Sequence, residues 1–241
     1  MHWSKVSHEQ LGPQAVDAQL GADPLLAPLV SRVPGRRVPG HVDGDELAVR
    51  AVLGQQVSVA GARRLAARVV ARYGQPLATS SGLLTHTFPT AADLARVDPA
   101  ELPLPRARCR ALLSMCAALA EGRLVLGPGA DRDQARVQLE ALPGIGTWTA
   151  GYIAMRALGD PDAFLHGDLG VRRALERLGQ PATPAAVARL GRRWRPWRAY
   201  AVAHLWASLS EPAPANSSPA NSSPANPAPA EPSPANPGVS P

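Results

Sequence analysis

One carboxylate, Asp168, stands a single helix downstream of a turn suited to holding an anion, so this stretch pairs a gripping group with a group that could act on what is gripped. The turn is Leu142-Pro143-Gly144-Ile145-Gly146-Thr147-Trp148-Thr149-Ala150. Pro143 has no N–H to continue a helix, and Gly144 and Gly146 are free to take positive φ. Apolar residues on either side (Val137, Leu139 and Leu142, then Ala150, Ile153, Ala154 and Leu158) recur at helical spacing. Two short helices joined by a tight, bare-backbone hairpin follow. The second helix opens on a row of N–H groups without intrahelical partners, where the helix dipole also favours negative charge.

A hairpin of this kind grips nucleic-acid backbone without reading bases. Elements on both sides must hold it in place. Residues 14–31 read as two short helices broken at Gly21 to Pro24, followed by a turn region at 32–40. From Asp43 the pattern is helical over 44–56, 58–73, 90–95, 105–121, 131–141, 147–158, 168–178, 183–192 and 195–209. Ser58, Thr90, Asp131, Thr147, Asp168 and Thr183 read as N-caps, and Gly74, Gly122 and Gly159 as stops. Continuous β-branched runs bounded by turns are lacking, so the expected fold class is all-α over 14–209. The organisation expected is an N-terminal segment 1–42 packed on the C-terminal helices, a core at 43–209 with its hairpin at 137–158, and a tail at 210–241. That tail is a Pro/Ala/Asn/Ser repeat too poor in apolar residues to fold, and is expected to be disordered.

Composition narrows the classes of function. The chain has 241 residues, 45% of them apolar, enough for a true core. Cys109 and Cys116 sit in an apolar helical segment and read as buried thiols; no four-cysteine spacing for an iron–sulfur cluster or zinc occurs. His166 and Asp168 lack a third metal ligand at sensible spacing. No apolar run is long enough to span a bilayer, so no membrane role is expected. The 25 basic residues outnumber 19 acidic ones, and the tail carries only Glu211 and Glu231, so the positive excess belongs to the folded part. A basic domain raises the odds of a nucleic-acid partner. Arginine supplies all of that charge except Lys5, a bias that codon composition explains more simply, since Ala, Arg, Gly and Pro all run high together.

Four segments in order resemble the helix-hairpin-helix DNA glycosylase superfamily, in particular its bacterial 3-methyladenine DNA glycosylase II branch. They are Ala51-Val52-Leu53-Gly54-Gln55-Gln56-Val57-Ser58, the hairpin with its continuation to Tyr152, Phe164-Leu165-His166-Gly167-Asp168, and Arg193-Trp194-Arg195-Pro196-Trp197-Arg198-Ala199-Tyr200-Ala201 running on to His204-Leu205-Trp206. The resemblance implies two helical subdomains with the active site in the cleft between them. It also implies a catalytic Asp168, which would stabilise positive charge growing on the deoxyribose and direct water. Read from the residues alone, Asp168 is a helix cap.

Trp148 decides the subclass. Lyase-type relatives carry a lysine in this slot that attacks the sugar; tryptophan has no nucleophile, so a monofunctional enzyme without β-lyase chemistry is expected. Trp148, Tyr152 and Trp206 would line an aromatic pocket, where a cationic alkylated base gains about 0.5–2 kcal/mol over a ring face. Core packing is the alternative for these three, and the reading adopted for Trp194 and Trp197. Gln55 and Gln56 occupy the loop from which relatives push a side chain into the duplex; a solvated turn is the other reading, and the branch's best-known member has leucine at the position of Gln56. Gly144, Gly146 and Thr147 would offer backbone amides to a phosphate. The carbonyls of Glu140, Leu142 and Ile145 would hold a structural monovalent cation, with no other cofactor expected. Arg63, Arg64, Arg106, Arg108 and Arg110 are candidates for further phosphate contacts, a solvated helix face being the plainer reading for most.

The function implied is hydrolysis of the N-glycosidic bond of alkylated purines in double-stranded DNA, as the first step of base excision repair. A cytoplasmic, nucleoid-associated monomer is expected. Members of the branch usually carry a β-rich domain ahead of the helical core, whereas here the resemblance begins near residue 14, so the chain is expected to be truncated relative to them. The alternatives are a non-catalytic helix-hairpin-helix DNA-binding protein and a glycosylase for deaminated or mismatched bases.

Overall fold

The computed structural model describes residues 12–82 and 84–210; Lys5 and the tail from residue 211 lie outside them. Helices α1 (Pro13–Gly21), α2 (Ala27–Arg32), α3 (Gly44–Leu53) and α4 (Val59–Tyr73) come first. A two-stranded antiparallel hairpin follows, β1 (Pro76–Ser81) and β2 (Leu84–His86). Then come α5 (Ala91–Ala95), α6 (Arg106–Ala120), α7 (Arg132–Ala141), α8 (Thr147–Arg156), α9 (Leu169–Arg177), α10 (Pro184–Leu190) and α11 (Arg198–Ser208). The architecture is helical, with the β-hairpin as the one departure among the described residues from an all-α reading. Its strands are short, mostly exposed and without apolar alternation, so they carry little sequence signal.

Caps fix most of the boundaries. Ser58, Thr90, Asp131, Asp168 and Thr183 each accept a backbone N–H from the first turn they precede. Thr147 does not: it is the first residue of α8, whose cap position is Gly146, and no side chain caps that end. Helix α3 stops at Leu53, not 56, because the chain turns through Gly54 and then puts Gln56 in the left-handed region at φ 55°.

Two apolar clusters share α8. The first gathers α3, α6 and the inner face of α7, with Leu53, Leu112, Met115, Leu139 and Ile153 sealed from solvent. The second joins Val16, Leu20, Leu26 and Val30 of the N-terminal segment to Val171, Leu175, Trp194 and Leu205. Helix α8 sends Ile153 and Ala154 to the first and Met155 to the second, while Tyr152 packs against both. Whatever α8 carries on its remaining face therefore lies at the seam. The two cysteines are buried and unpaired, and burial pushes the Cys116 thiol up to about 12, with the nearby Asp45 charge adding to it. At neutral pH that thiol is inert.

Candidate active site

The loop from α8 to α9 sets where Asp168 stands. Asp162 takes a bidentate pair from Arg198 at 2.6 and 2.7 Å, and the Ala199 N–H donates to the Pro161 carbonyl at 2.9 Å, so the start of α11 clamps the loop. Leu165 buries itself, and the Asp168 N–H then donates to the Leu165 carbonyl at 3.0 Å. The chain enters α9 with Asp168 at the cap, its Oδ1 accepting the Val171 N–H at 2.8 Å.

Capping uses only part of the carboxylate. Trp206 of α11 donates its indole N–H to Oδ1 at 2.8 Å, and Trp148 of α8 donates to Oδ2 at 2.9 Å. Three N–H groups thus converge on one carboxyl group, and the two indoles come from α8, which borders both clusters, and α11, which packs in the second. An ionised carboxylate is an acceptor only, so such a set fixes its orientation and leaves part of Oδ2 open. The indole of Trp148 lies over Tyr152, centroids 5.4 Å apart and planes within 9°, and remains 36% exposed. Tyr152 is held in turn: Arg156 donates to its hydroxyl at 3.1 Å and to the Pro39 carbonyl at 2.5 Å. The structure therefore brings Asp168, Trp148, Tyr152 and Trp206 into one group, with Asp168 half-buried beside an exposed aromatic face.

The hairpin borders this group. Gly144 has φ 77°, and a Cβ there would stand 3.0 Å from the Ala111 methyl, so both backbone and space require glycine. Gly146 is different. Its φ of −86° suits any residue, and a Cβ there would meet nothing within 4 Å; what glycine contributes is an unshielded amide at the start of α8. Thr147 and Trp148 follow it, exposed. Gln55 donates from its amide to the Gly144 carbonyl and to Thr149 Oγ1, both at 3.1 Å, which ties the α3–α4 turn to the hairpin from inside. Gln56 is exposed. Arg63, Arg64, Arg106 and Arg110 are exposed and Arg108 is half-buried.

The hairpin carbonyls offer capacity for a cation. The Leu142 carbonyl accepts the Ile145 N–H at 3.2 Å, while among the described residues no turn or cap hydrogen bond between backbone groups ends on the carbonyl of Glu140 or Ile145. A concavity of about 1550 Å³ is lined in part by Trp148, Gly127–Asp133, Phe164–Gly167 and Arg195–Arg198; Asp168, Tyr152 and Trp206 do not line it.

A family model described as "HhH-GPD superfamily base excision DNA repair protein" matches residues 49–198. The chain belongs to that superfamily. The matched span runs from α3 to the start of α11 and contains the hairpin and Asp168. Within the HhH-GPD superfamily, a Mycobacterium tuberculosis protein named as a probable bifunctional transcriptional activator/DNA repair enzyme AlkA is 52% identical over 200 residues, 83% of this chain and 40% of the relative. The DNA-3-methyladenine glycosylase 2 of Escherichia coli is 39% identical over 206 residues, 84% of this chain and 69% of the relative. Among solved structures, a 3-methyladenine DNA glycosylase from Archaeoglobus fulgidus superposes with a TM-score of 0.69 at 26% identity, covering 84% of this chain and 71% of that one. The chain spans less than half the length of the mycobacterial relative.

Two contributors to the site escape sequence reasoning. Arg156 fixes the Tyr152 hydroxyl, and only its one-turn spacing from Tyr152 could have hinted at it. Gly170 lies against the Trp206 indole, and its signal was a glycine in the first turn of a helix.

Proposed function

We propose that the protein is a monofunctional DNA glycosylase that hydrolyses the N-glycosidic bond of alkylated purines, of the 3-methyladenine and 7-methylguanine type, in duplex DNA. The observation that carries this reading is the Asp168 carboxylate held by three N–H donors beside an exposed aromatic face. Its similarity to a DNA-3-methyladenine glycosylase at 39% identity supports the substrate class.

In this reading a flipped base stacks on the Trp148–Tyr152 pair, with Trp206 bounding the pocket. Stacking is worth about 1–3 kcal/mol per base, and a cationic alkylated base gains further from the ring face. The C1′–N bond then breaks with its electron pair leaving on the base, and positive charge develops over C1′ and the ring oxygen. The fixed anion of Asp168 lowers the energy of that charge without reorganising at the moment of reaction. Water adds to C1′ and releases a proton to solvent, leaving an abasic site. An alkylated purine is already a good leaving group, so no strong general acid is required. Trp148 occupies the position where a lyase would carry its amine, so no Schiff base forms and the strand stays intact.

The remaining residues hold the duplex. Backbone amides at Gly144, Gly146 and Thr147 take a phosphate on the uncapped end of α8. Glu140, Leu142 and Ile145 would hold a monovalent cation through their carbonyls, where its charge would draw the phosphate in. Gln56 enters the gap left by the flipped nucleotide, while Gln55 braces the hairpin behind it. Acting as a monomer on nucleoid DNA in the cytoplasm suffices for this chemistry.

Incubation with duplex DNA containing 7-methylguanine or 3-methyladenine tests the reading. Free base is expected, with strand breaks appearing only after alkali. Binding without base release would replace the enzyme with a DNA-binding protein, and breaks without alkali would refute the monofunctional assignment.

A further inference from the structure

Gly170 is the second residue of α9, two after Asp168, and nothing in its backbone requires glycine. Its φ is not in the left-handed region that accounts for Gly144, Gly159 and Gly179. Alanine at a helical position is ordinarily favoured over glycine, so the sequence forgoes local stability here. Space supplies the reason. A Cβ on Gly170 would stand 3.0 Å from Asp168 Oδ1, 3.0 Å from Trp206 Cδ1 and 3.1 Å from Trp206 Nε1. These contacts are tighter than packed side chains ordinarily make, so a methyl group at this point requires the indole or the carboxylate to give by a few tenths of an ångström.

Neither neighbour yields without consequence. The Asp168 carboxylate is anchored to the Val171 N–H as the cap of its own helix. The Trp206 ring leans on the second apolar cluster and reaches Oδ1 with its N–H at 2.8 Å. Displacing the ring by a few tenths of an ångström stretches that hydrogen bond and weakens one of the three that orient the carboxylate. It also moves a wall of the aromatic pocket.

We propose that Gly170 is a positioning residue: its missing side chain lets the Trp206 indole close on Asp168 and fix the carboxylate in its working orientation. The proposal rests on reading Asp168 as the reacting carboxylate. Gly170 itself touches no substrate and acts through Trp206. An enzyme that depends on a preorganised charge loses rate when that charge is mobile, even where binding and folding are untouched.

Gly170→Ala is the test, with three readouts. The melting temperature stays the same or rises. The indole N–H resonance of Trp206, identified by its loss in Trp206→Ala, moves away from its wild-type position. Single-turnover release of 7-methylguanine falls about tenfold, with the Kd for DNA within about threefold. In a Trp206→Ala background the same change costs several-fold less, because the two indole atoms it would strike are gone and only the contact with Asp168 Oδ1 remains. An unmoved resonance, or equal losses in both backgrounds, overturns the proposal. Should Gly170→Ala fail to fold, recovered folding of the double variant supports the close approach, and continued misfolding overturns it. If wild type releases no base, the proposed function fails on its own, while the resonance and the melting temperature still decide the packing claim.

Discussion

Trp194 and Trp197 lie in the second apolar cluster, 1% and 3% exposed, and donate their indole N–H groups to Asp23 and Gln19 at 3.1 Å each. Trp148 and Trp206 make the same kind of bond, to Asp168, at the open seam where Trp148 is 36% exposed. The chemistry of the contact is shared and its purpose differs. In the buried pair each indole has its own acceptor, and the carboxylate of Asp23 is spent on Arg193 and the Leu25 N–H besides, so it secures packing. In the second pair two indoles, from α8 and from α11, share one acceptor. Convergence on a single half-buried carboxylate is the feature on which the proposed role of Asp168 rests.

That contrast can be broken at either end. The largest effect is expected from Trp194→Ala, which removes a fully buried ring and should cost about 3–5 kcal/mol of stability in denaturant titration. Activity per folded molecule should not change. Trp148→Phe keeps a six-membered aromatic ring beside Tyr152 and removes the N–H with the rest of the five-membered ring; base release should fall about tenfold, equivalent to about 1.4 kcal/mol in the barrier, with the melting temperature nearly constant. If Trp148→Phe lost stability instead of rate, the two pairs would be alike and the distinction would collapse. The smallest change belongs to Gln56→Gly. Relief of its left-handed backbone should raise stability by up to about 1 kcal/mol, while affinity for lesion-bearing DNA weakens, as fluorescence anisotropy would record.

Much of the frame was legible in the sequence because it depends on neighbours. Asp131, Thr90 and Ser58 announce their helices within three residues, and Pro143-Gly144 announces the hairpin. The β-hairpin was not legible, since strands such as Pro76–Ser81 carry no apolar alternation and pair at the surface. Nor could sequence separate Gly144, which needs positive φ, from Gly146, which does not. Resemblance pointed to Asp168, Trp148 and Trp206 as members of a site, yet their hydrogen bonds span 20 and 38 residues and exist only once α8, α9 and α11 have packed. Gln55 shows the same limit: its partners at Gly144 and Thr149 are 89 and 94 residues away, and no local pattern marks them.

Single-turnover release of 7-methylguanine by wild type and by Asp168→Asn, with DNA affinity measured in parallel, addresses the central claim most directly. Asparagine keeps the shape and removes the charge. The account predicts equal affinity and a fall in release of at least about 10²–10³-fold; release by Asp168→Asn within a few-fold of wild type would contradict it.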